Sequence, residues 1–234
     1  MGRVSKLLTA LARPGYWPVL ARGVAPGIEH GPALAGHVFN CVIDVGANRG
    51  QFAAFARNTW PAARLICFEP LPGPRRRLAA VTGGRAEIHA LALGDAEGEA
   101  VMHLASRADS SSLLPLGSAQ KQLFDMDEAG QLTVAVRRLD AVIDTADLPR
   151  PALLKIDVQG FEYETLKGAA GLLSAIDTVY VEASFVELYA GQKLAEDVAG
   201  LLEAHGFVEA GRFNISQKKG RDVQADLLFA RSRL

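Results

Sequence analysis

Cysteine is scarce in this chain, with only Cys41 and Cys67 among 234 residues. So few thiols exclude a disulfide framework of the kind that staples small secreted proteins. Both cysteines lie in apolar runs typical of strands, where buried free thiols are usual. A bond between them on neighbouring strands is the less favoured alternative. The composition therefore predicts a protein of a reducing compartment, the cytoplasm.

Long apolar runs and an excess of charge are missing as well. No run approaches the roughly 20 residues that a membrane-spanning helix needs, and the start fits a signal peptide poorly because Arg13 interrupts the sequence after a short apolar run. The net charge is −1, which gives no general attraction to nucleic acid. We therefore expect a small neutral or modestly charged substrate and no nucleic acid. The oligomeric state is left open.

One membrane-related alternative stays open at the N-terminus. A weak peripheral contact would use the basic and apolar residues of the first 13 positions, namely Arg3, Lys6, Leu7, Leu8, Leu11 and Arg13. The segment is short and carries little charge, so a helix that packs on the domain is the favoured interpretation.

Two common nucleotide-binding motifs are absent from the segment DVGANRG, residues 44–50. A dinucleotide site requires G-x-G-x-x-G, but Asn48 stands at the middle glycine and Gly50 comes one residue early. A P-loop is excluded because no G-K-[ST] follows. The remaining pattern resembles the acidic, glycine-rich first motif of S-adenosylmethionine-dependent methyltransferases. It makes Asp44, Gly46, Asn48 and Gly50 candidate cofactor-binding residues, and an acid suits a cofactor that carries an amino group.

Strand and helix patterns alternate from Phe39 onward, which predicts an α/β fold with a mainly parallel sheet and helices on both faces. The expected core strands lie at residues 41–43, 64–69, 87–93, 153–157, 178–182, 207–213 and 226–230, and the expected helices at 51–58, 75–81, 160–173 and 193–204. Residues 98–137 are predicted to form a small insertion beside the cofactor cleft. Residues 1–38, broken by four prolines, are predicted to be a helical and loop extension of the domain 39–234.

Two acids follow the second and third predicted strands. Glu69 lies about 20 residues beyond the glycine turn, where a nucleotide-binding sheet places the acid that binds ribose hydroxyls. Asp95 follows the third strand at the height expected for adenine, and the run 91–93 would wall that pocket. An ordinary turn is an equal alternative for Asp95.

A second group of charges surrounds the strand at residues 153–157. Lys155 and Asp157 bracket Ile156 on a strand that is otherwise apolar, and alternation puts both side chains on one face. With Glu182 at the end of the next strand they form the candidate catalytic set, Asp157 first and Glu182 second as the base. Glu162 completes a carboxylate-lined pocket that would contact substrate or hold a hard cation such as Mg²⁺, with Asp157 and Glu182 as its ligands. A structural salt bridge is the alternative.

Two polar segments are candidates for ligand contact. Ser111 lies in the serine run of the insertion. The G-x-S-x-G motif that surrounds a nucleophilic serine is absent there, so Ser111 is a candidate cofactor contact instead. Glu187 and Tyr189, after the strand at 178–182, are candidate substrate contacts. The alternatives are a surface loop and the entry to the next helix.

Together the motifs resemble the FkbM family of S-adenosylmethionine-dependent methyltransferases. The resemblance is carried in order by residues 42–50, 68–70, 153–162, 166–168 and 226–231. It implies the class I methyltransferase fold, a Rossmann-like sheet of seven mainly parallel strands whose last strand is antiparallel, here with a small β insertion. Many family members have glutamate where this chain has Gln159, which weakens the case for a metal-dependent reaction.

The resemblance implies an O-methyltransferase with S-adenosylmethionine as cofactor. The acceptor would be a hydroxyl of a sugar, or of a sugar-containing or other secondary-metabolite molecule, and a divalent cation such as Mg²⁺ is permitted but not required. One alternative is an NAD-dependent oxidoreductase or epimerase, against which the turn spacing speaks. The other is a non-catalytic ligand-binding module, against which the presence of Asp44, Glu69, Lys155 and Asp157 speaks.

Overall fold

The structure is a computed structural model and describes residues 3–232. Its α-helices are α1 Arg3–Leu11, α2 Trp17–Leu20, α3 Gln51–Thr59, α4 Pro72–Thr82, α5 Ser118–Phe124, α6 Leu139–Val142, α7 Glu162–Lys167 and α8 Ala195–Ala204. Its strands are β1 Cys41–Val45, β2 Arg64–Phe68, β3 Glu87–His89, β4 Ala92–Leu93, β5 Gly98–Ala105, β6 Glu128–Arg137, β7 Ala152–Ile156, β8 Thr178–Ser184, β9 Phe207–Lys218 and β10 Arg221–Arg231. Short 3-10 helices lie at Pro14–Tyr16, Ile28–His30, Ala108–Ser110, Thr145–Asp147 and Leu173–Ala175.

Seven strands form the main sheet in the order β3-β2-β1-β7-β8-β10-β9. The first five in this order are mutually parallel, whereas β10 is antiparallel to both β8 and β9. Every residue of the central strands β1 and β7 is buried, as expected of parallel strands covered on both faces. The prediction of a mainly parallel seven-stranded sheet with an antiparallel last strand is confirmed.

Helices cover both faces of this sheet. On one face Ile43 and Leu154 share a core with Leu166 of α7 and Leu202 of α8. On the other face Val42, Leu153 and Tyr180 pack with Phe52 and Phe55 of α3. Because side chains alternate along a strand, Asp44, Lys155, Glu182 and Asp226 belong to the second face, at the carboxyl ends of the parallel strands.

The insertion forms a separate three-stranded sheet in the order β4-β6-β5, which confirms the predicted small β insertion. The prediction of one strand over residues 87–93 is wrong. Glu87–His89 pairs with β2, but Ala92–Leu93 leaves the main sheet and pairs with β6. The apolar pattern of the run shows that it is extended but not which sheet it joins.

Helix α7 is shorter than the predicted 160–173. It ends at Lys167, and the next residue, Gly168, packs against the backbone of Gly94, where a Cβ would come within 1.9 Å of the carbonyl oxygen. This contact joins the helix to the turn after β4.

The N-terminal extension packs on α3 and α4 through Val19 and Val24, which contact Ala54 and Val81. Leu8, Leu11 and Trp17 are exposed. The predicted membrane contact falls partly on Arg3 and Leu7, whose side chains lie outside the described part of the chain, as do residues 1–2 and 233–234 of the predicted domains. Among the helices within residues 3–232, none has the length and apolar character needed to cross a membrane.

Candidate active site

The turn after β1 is built around Gly46. Its backbone has φ 77°, and a Cβ at this position would lie 1.8 Å from the carbonyl oxygen of Asp157. The backbone amide of Asp157 donates to the carbonyl of Val45 at 3.1 Å, so the chain leaving β7 crosses directly over the turn. Only glycine fits this position, because both the positive φ and the close approach exclude a side chain.

The rest of the turn leads into α3. Asn48 has φ 47°, and Gly50 has φ 91° at the helix N-cap. A Cβ on Gly50 would lie 3.2 Å from Leu78 and Val81 of α4, so this glycine serves helix packing. The side-chain Oδ1 of Asn48 is buried and has no hydrogen-bond partner in residues 3–232. Such an atom is costly unless a ligand donates to it.

Glu69 follows β2 and is held by the same turn. Its Oε2 accepts the backbone N–H of Asn48 at 2.8 Å, and its Oε1 accepts the N–H of Leu71 at 2.7 Å. Burial raises the pKa of Glu69 to about 7, although these two hydrogen bonds oppose the rise. Each oxygen keeps a free lone pair for a ligand hydroxyl.

Beneath the turn lies a buried ion pair. Lys155 Nζ is 3.2 Å from Asp44 Oδ1 and 3.5 Å from Asp157 Oδ2. Burial alone would lower the pKa of Lys155, but the carboxylates of Asp44 and Asp157 outweigh it and the net shift is upward. Burial raises the pKa of Asp44, with the charge of Lys155 opposing the rise. Asp44 is fully buried, so it supports Lys155 from below rather than facing the cleft.

Gln159 links the two candidate catalytic carboxylates. Its Nε2 donates to Asp157 Oδ1 at 2.8 Å and to Glu182 Oε2 at 2.9 Å, while its Oε1 accepts from the hydroxyl of Tyr189 at 2.8 Å. The other oxygen of Glu182 accepts from Gln224 at 2.7 Å. Burial, followed by the charge of Asp157, raises the pKa of Glu182 well above its ordinary value.

These elements open onto one cleft of about 720 Å³ at the carboxyl ends of β1, β7 and β8, within the range of small-molecule sites. Seven of the predicted residues line it: Gly46, Asn48, Glu69, Ser111, Lys155, Asp157 and Glu182. Leu91, Ala92 and Leu93 line the cleft with apolar side chains.

The structure gives the other predicted residues different partners. Asp44 lies below the cleft and Gly50 packs on α4. Asp95 pairs with Lys167, which lowers the pKa of the aspartate. Glu162 accepts the backbone N–H groups of Val158 and Gly160, at 3.1 and 3.0 Å, so it shapes the loop after β7 rather than a substrate pocket.

Glu187 and Tyr189, the two candidate substrate contacts after β8, both form hydrogen bonds within the protein. Glu187 is exposed and accepts the N–H of Gly191 at 2.8 Å. Tyr189 is buried, and its hydroxyl lies 3.0 Å from the Ser110 carbonyl oxygen as well as near Gln159. Tyr189 therefore connects this segment to the insertion, and neither Glu187 nor Tyr189 lines the cleft.

Sequence reasoning missed the far end of the cleft. His30, from the N-terminal extension, and Asn214, Gln224 and Asp226, from β9 and β10, line it. Asp226 is buried and accepts from Tyr180 and Asn214, both at 2.7 Å. The one signal in the sequence was an acid at position 226 in an otherwise apolar strand, which requires a buried partner.

No group of three or more His, Cys, Asp or Glu side chains within the described residues is arranged to hold a metal ion. The cleft carries charges of both signs, since Lys6, Arg107 and Lys218 line it together with the acids.

The sheet order and the cleft at the end of β1 define a class I methyltransferase. The chain belongs to the FkbM methyltransferase family: it matches the family described as Methyltransferase FkbM domain over residues 44–209. It is therefore a methyltransferase that uses S-adenosylmethionine, and the predictions of family, fold and enzyme class are confirmed. Gly46, the unpartnered Oδ1 of Asn48 and the carboxylate of Glu69 lie together at the turn after β1.

Three relatives illustrate the similarity. The 2-O-methyltransferase NoeI of Sinorhizobium fredii is 28% identical over 202 residues, covering 82% of this chain and 80% of NoeI. The hexuronic acid methyltransferase AglP of Haloferax volcanii is 26% identical over 178 residues, covering 73% of this chain and 70% of AglP. The AMB antimetabolite synthetase AmbE of Pseudomonas aeruginosa is 33% identical over 198 residues, 71% of this chain, and the match spans 9% of AmbE.

Proposed function

We propose that this enzyme transfers a methyl group to a hydroxyl of a sugar, or of a sugar-containing or other secondary-metabolite molecule. The observation that carries the proposal is the polar half of the cleft, where amides, carboxylates and His30 face a common space beside the β1 turn. Hydroxyl-rich molecules need such a mixture of donors and acceptors. The relatives named as a 2-O-methyltransferase and a hexuronic acid methyltransferase support the same acceptor class.

The cofactor half of the cleft assigns roles to individual residues. Glu69 accepts hydrogen bonds from the ribose hydroxyls, since its free lone pairs face the cleft. Asn48 Oδ1 accepts from the amino group of the methionine part, and the bare backbone of Gly46 lets that part approach the turn. Ser111 contacts the cofactor from the insertion. When bound, the cofactor supplies an activated methyl group, so the protein's main task is to orient the acceptor.

The acceptor binds beside three charged residues of the cleft, Asp157, Glu182 and Lys155. The two carboxylates accept hydrogen bonds from acceptor hydroxyls, and Lys155 fixes Asp157. Replacing Asp157 with asparagine should lower kcat about tenfold, the worth of one hydrogen bond to a charged group, while binding of S-adenosylhomocysteine stays unchanged. Steady-state kinetics and calorimetry measure the two effects. An unchanged kcat would remove Asp157 from the acceptor site.

We further propose that the reaction requires no divalent cation. The Gln159 amide already donates to both Asp157 and Glu182, which is the place a bridging cation would take. Chelation with EDTA should therefore leave kcat within about twofold, because no Lewis acid takes part. Loss of activity with EDTA that added Mg²⁺ restores would contradict this.

The remaining assignments concern the setting of the enzyme. We propose a cytoplasmic location, supported by the two free, buried thiols of Cys41 and Cys67, and acceptors other than nucleic acid. Weak peripheral membrane contact through the exposed Leu8 and Leu11 is the minor alternative to an N-terminal helix that only packs on the domain. The oligomeric state is open.

A panel of methyl glycosides tests the proposed function. Hexosides, deoxyhexosides and hexuronides are incubated with enzyme and S-adenosylmethionine, and the products are analysed by mass spectrometry. We expect one class to gain a methyl group. If S-adenosylmethionine binds but neither a glycoside nor another hydroxyl compound is methylated, the chain is a non-catalytic binding module or acts on a different atom. Binding of NAD in preference to S-adenosylmethionine would favour the oxidoreductase alternative.

A further inference from the structure

The N-terminal extension places one histidine in the acceptor half of the cleft. His30 ends the 3-10 helix Ile28–His30, and its ring packs edge-on against Phe52 and Tyr180 with centroid distances of 5.1 and 5.5 Å. Its side chain is 16% exposed and lines the cleft. The ring is thus held by aromatic neighbours while it stays open to a ligand.

The hydrogen bonds around His30 determine which ring nitrogen carries the proton. Nδ1 lies 3.2 Å from the hydroxyl oxygen of Tyr180 and 3.4 Å from Asp226 Oδ2. The Tyr180 hydroxyl donates its own proton to Asp226 at 2.7 Å, so towards His30 it offers a lone pair. Nδ1 therefore faces only acceptors and must carry the hydrogen, which leaves a lone pair on Nε2.

Asp226 is suited to support a positive charge on this ring. Burial acts to raise the pKa of Asp226, but the hydrogen bond from His30 and those from Asn214 and Tyr180 outweigh it and lower the pKa. The carboxylate thus stays ionised beside the imidazole. An ionised carboxylate at Nδ1 both orients a histidine and stabilises its protonated form.

We propose that Nε2 of His30 accepts the proton of the acceptor hydroxyl, which makes His30 a catalytic residue supplied by the N-terminal extension. The proposal rests on the proposed O-methyl transfer. In that transfer the methyl–sulfur bond breaks while the methyl–oxygen bond forms, the sulfur keeps the electron pair, and the hydroxyl proton passes to Nε2. Asp226 then neutralises the imidazolium.

His30 is better placed for this step than the two carboxylates that the sequence suggested. Asp157 and Glu182 both receive hydrogen bonds from the Gln159 amide, and Glu182 receives another from Gln224. Such bonds leave these carboxylates fewer lone pairs for a proton. Nε2 of His30 makes no hydrogen bond within residues 3–232, and the side chain lines the cleft, so the Nε2 lone pair is available to an acceptor.

Two variants test the step, His30→Gln and His30→Ala. Each should lower kcat about 10²–10⁴-fold, the usual worth of a general base, with the affinity for S-adenosylhomocysteine and the thermal midpoint close to those of the wild type. Added imidazole should restore part of kcat in His30→Ala, where the ring leaves a space, and not in His30→Gln. His37→Gln is the matched control, since His37 also lies in the extension but outside the cleft.

A second measurement needs no acceptor. Diethyl pyrocarbonate should acylate His30 in the folded protein loaded with S-adenosylhomocysteine, as peptide mass spectrometry would show, because Nε2 makes no hydrogen bond within residues 3–232 and the side chain lines the cleft. Protection of His30 in the folded protein together with its modification in urea would overturn the proposal.

The kinetic outcomes separate this inference from the proposed function. If wild-type enzyme methylates no hydroxyl compound, the proposed function fails whatever His30 does. If wild type is active and His30→Gln keeps kcat within about threefold, well below the effect of a general base, the role of His30 is refuted alone. Loss of activity in His30→Ala that imidazole does not restore would likewise refute it.

Discussion

Replacing Gly46 with alanine is expected to abolish binding of S-adenosylmethionine and to destabilise the fold. The new Cβ would come within 1.8 Å of the carbonyl oxygen of Asp157, and the backbone there has φ 77°. The chain after β7 must move away, which separates Asp157 from Lys155 and from the turn. We expect a loss of about 2–4 kcal/mol in the free energy of unfolding and at least ~10²-fold in cofactor affinity.

Gly36→Ala provides the matched control for this variant. Gly36 has the same φ, 77°, but a Cβ there meets nothing within 4 Å. Its replacement should cost only the backbone strain, about 1 kcal/mol, and leave cofactor affinity unchanged. Chemical denaturation and calorimetry of the two variants separate the effect of backbone strain, which both share, from the effect of the steric clash with Asp157, which only Gly46→Ala has. Equal effects of both would mean that the crossing of Asp157 over the turn has no energetic importance.

Replacing Glu69 is expected to have the second-largest effect. On the proposed assignment, Glu69→Ala removes the hydrogen bonds to the ribose, and it leaves the backbone N–H groups of Asn48 and Leu71 without their acceptor. The affinity for S-adenosylmethionine should fall about 10²-fold or more, since hydrogen bonds to a charged group are each worth roughly 1.5–3 kcal/mol. The binding constant from calorimetry at pH 8 measures this. Affinity within threefold of wild type would place the ribose elsewhere.

The same carboxyl group predicts how affinity depends on pH. Burial raises the pKa of Glu69 to about 7, so the ionised form that accepts hydrogen bonds prevails above pH 7 and is lost below it. Between pH 8 and pH 6 the affinity of the wild type should fall about tenfold, in proportion to the ionised fraction. Glu69→Gln cannot ionise and should show no such fall. A fall of the same size in both proteins would assign the titration to another group.

The residues that we propose bind the cofactor could be grouped from the sequence because they are local in the chain. Gly46, Asn48 and Gly50 occupy one turn, and the distance from that turn to Glu69 follows from one strand–helix–strand unit. The alternation of Lys155 and Asp157 correctly put both side chains on one face. The alternation does not show how deeply a side chain is buried. Asp44 was predicted to contact the cofactor, whereas the structure places it, fully buried, beneath Lys155.

The acceptor half could not be predicted, since it is assembled from distant segments. His30 and Asp226 are separated by almost the whole chain and meet only because β10 pairs with β8 while the N-terminal extension covers the same face. No motif marks His30, and a single histidine in a proline-rich stretch is usually structural. Glu187 and Tyr189, the residues predicted to contact the acceptor, form hydrogen bonds within their own loop and to the insertion and Gln159.

Gln159 shows a further limit of motif reasoning. Glutamine in place of the common glutamate suggested a weaker metal site. In the structure its side-chain amide forms hydrogen bonds with Asp157, Glu182 and Tyr189. Two carboxylates near one another are stabilised when a shared donor bridges them. The sequence shows that residue 159 is glutamine, but only the structure shows which side chains it contacts.

A crystal structure of the full chain with S-adenosylhomocysteine tests the central claim most directly. We predict that the ribose hydroxyls lie within hydrogen-bond distance of Glu69, the amino group at Asn48 and the Gly46 turn, and the sulfur on the side of Asp157 and His30. A ligand bound outside this cleft, or a ribose without contact to Glu69, would contradict the account.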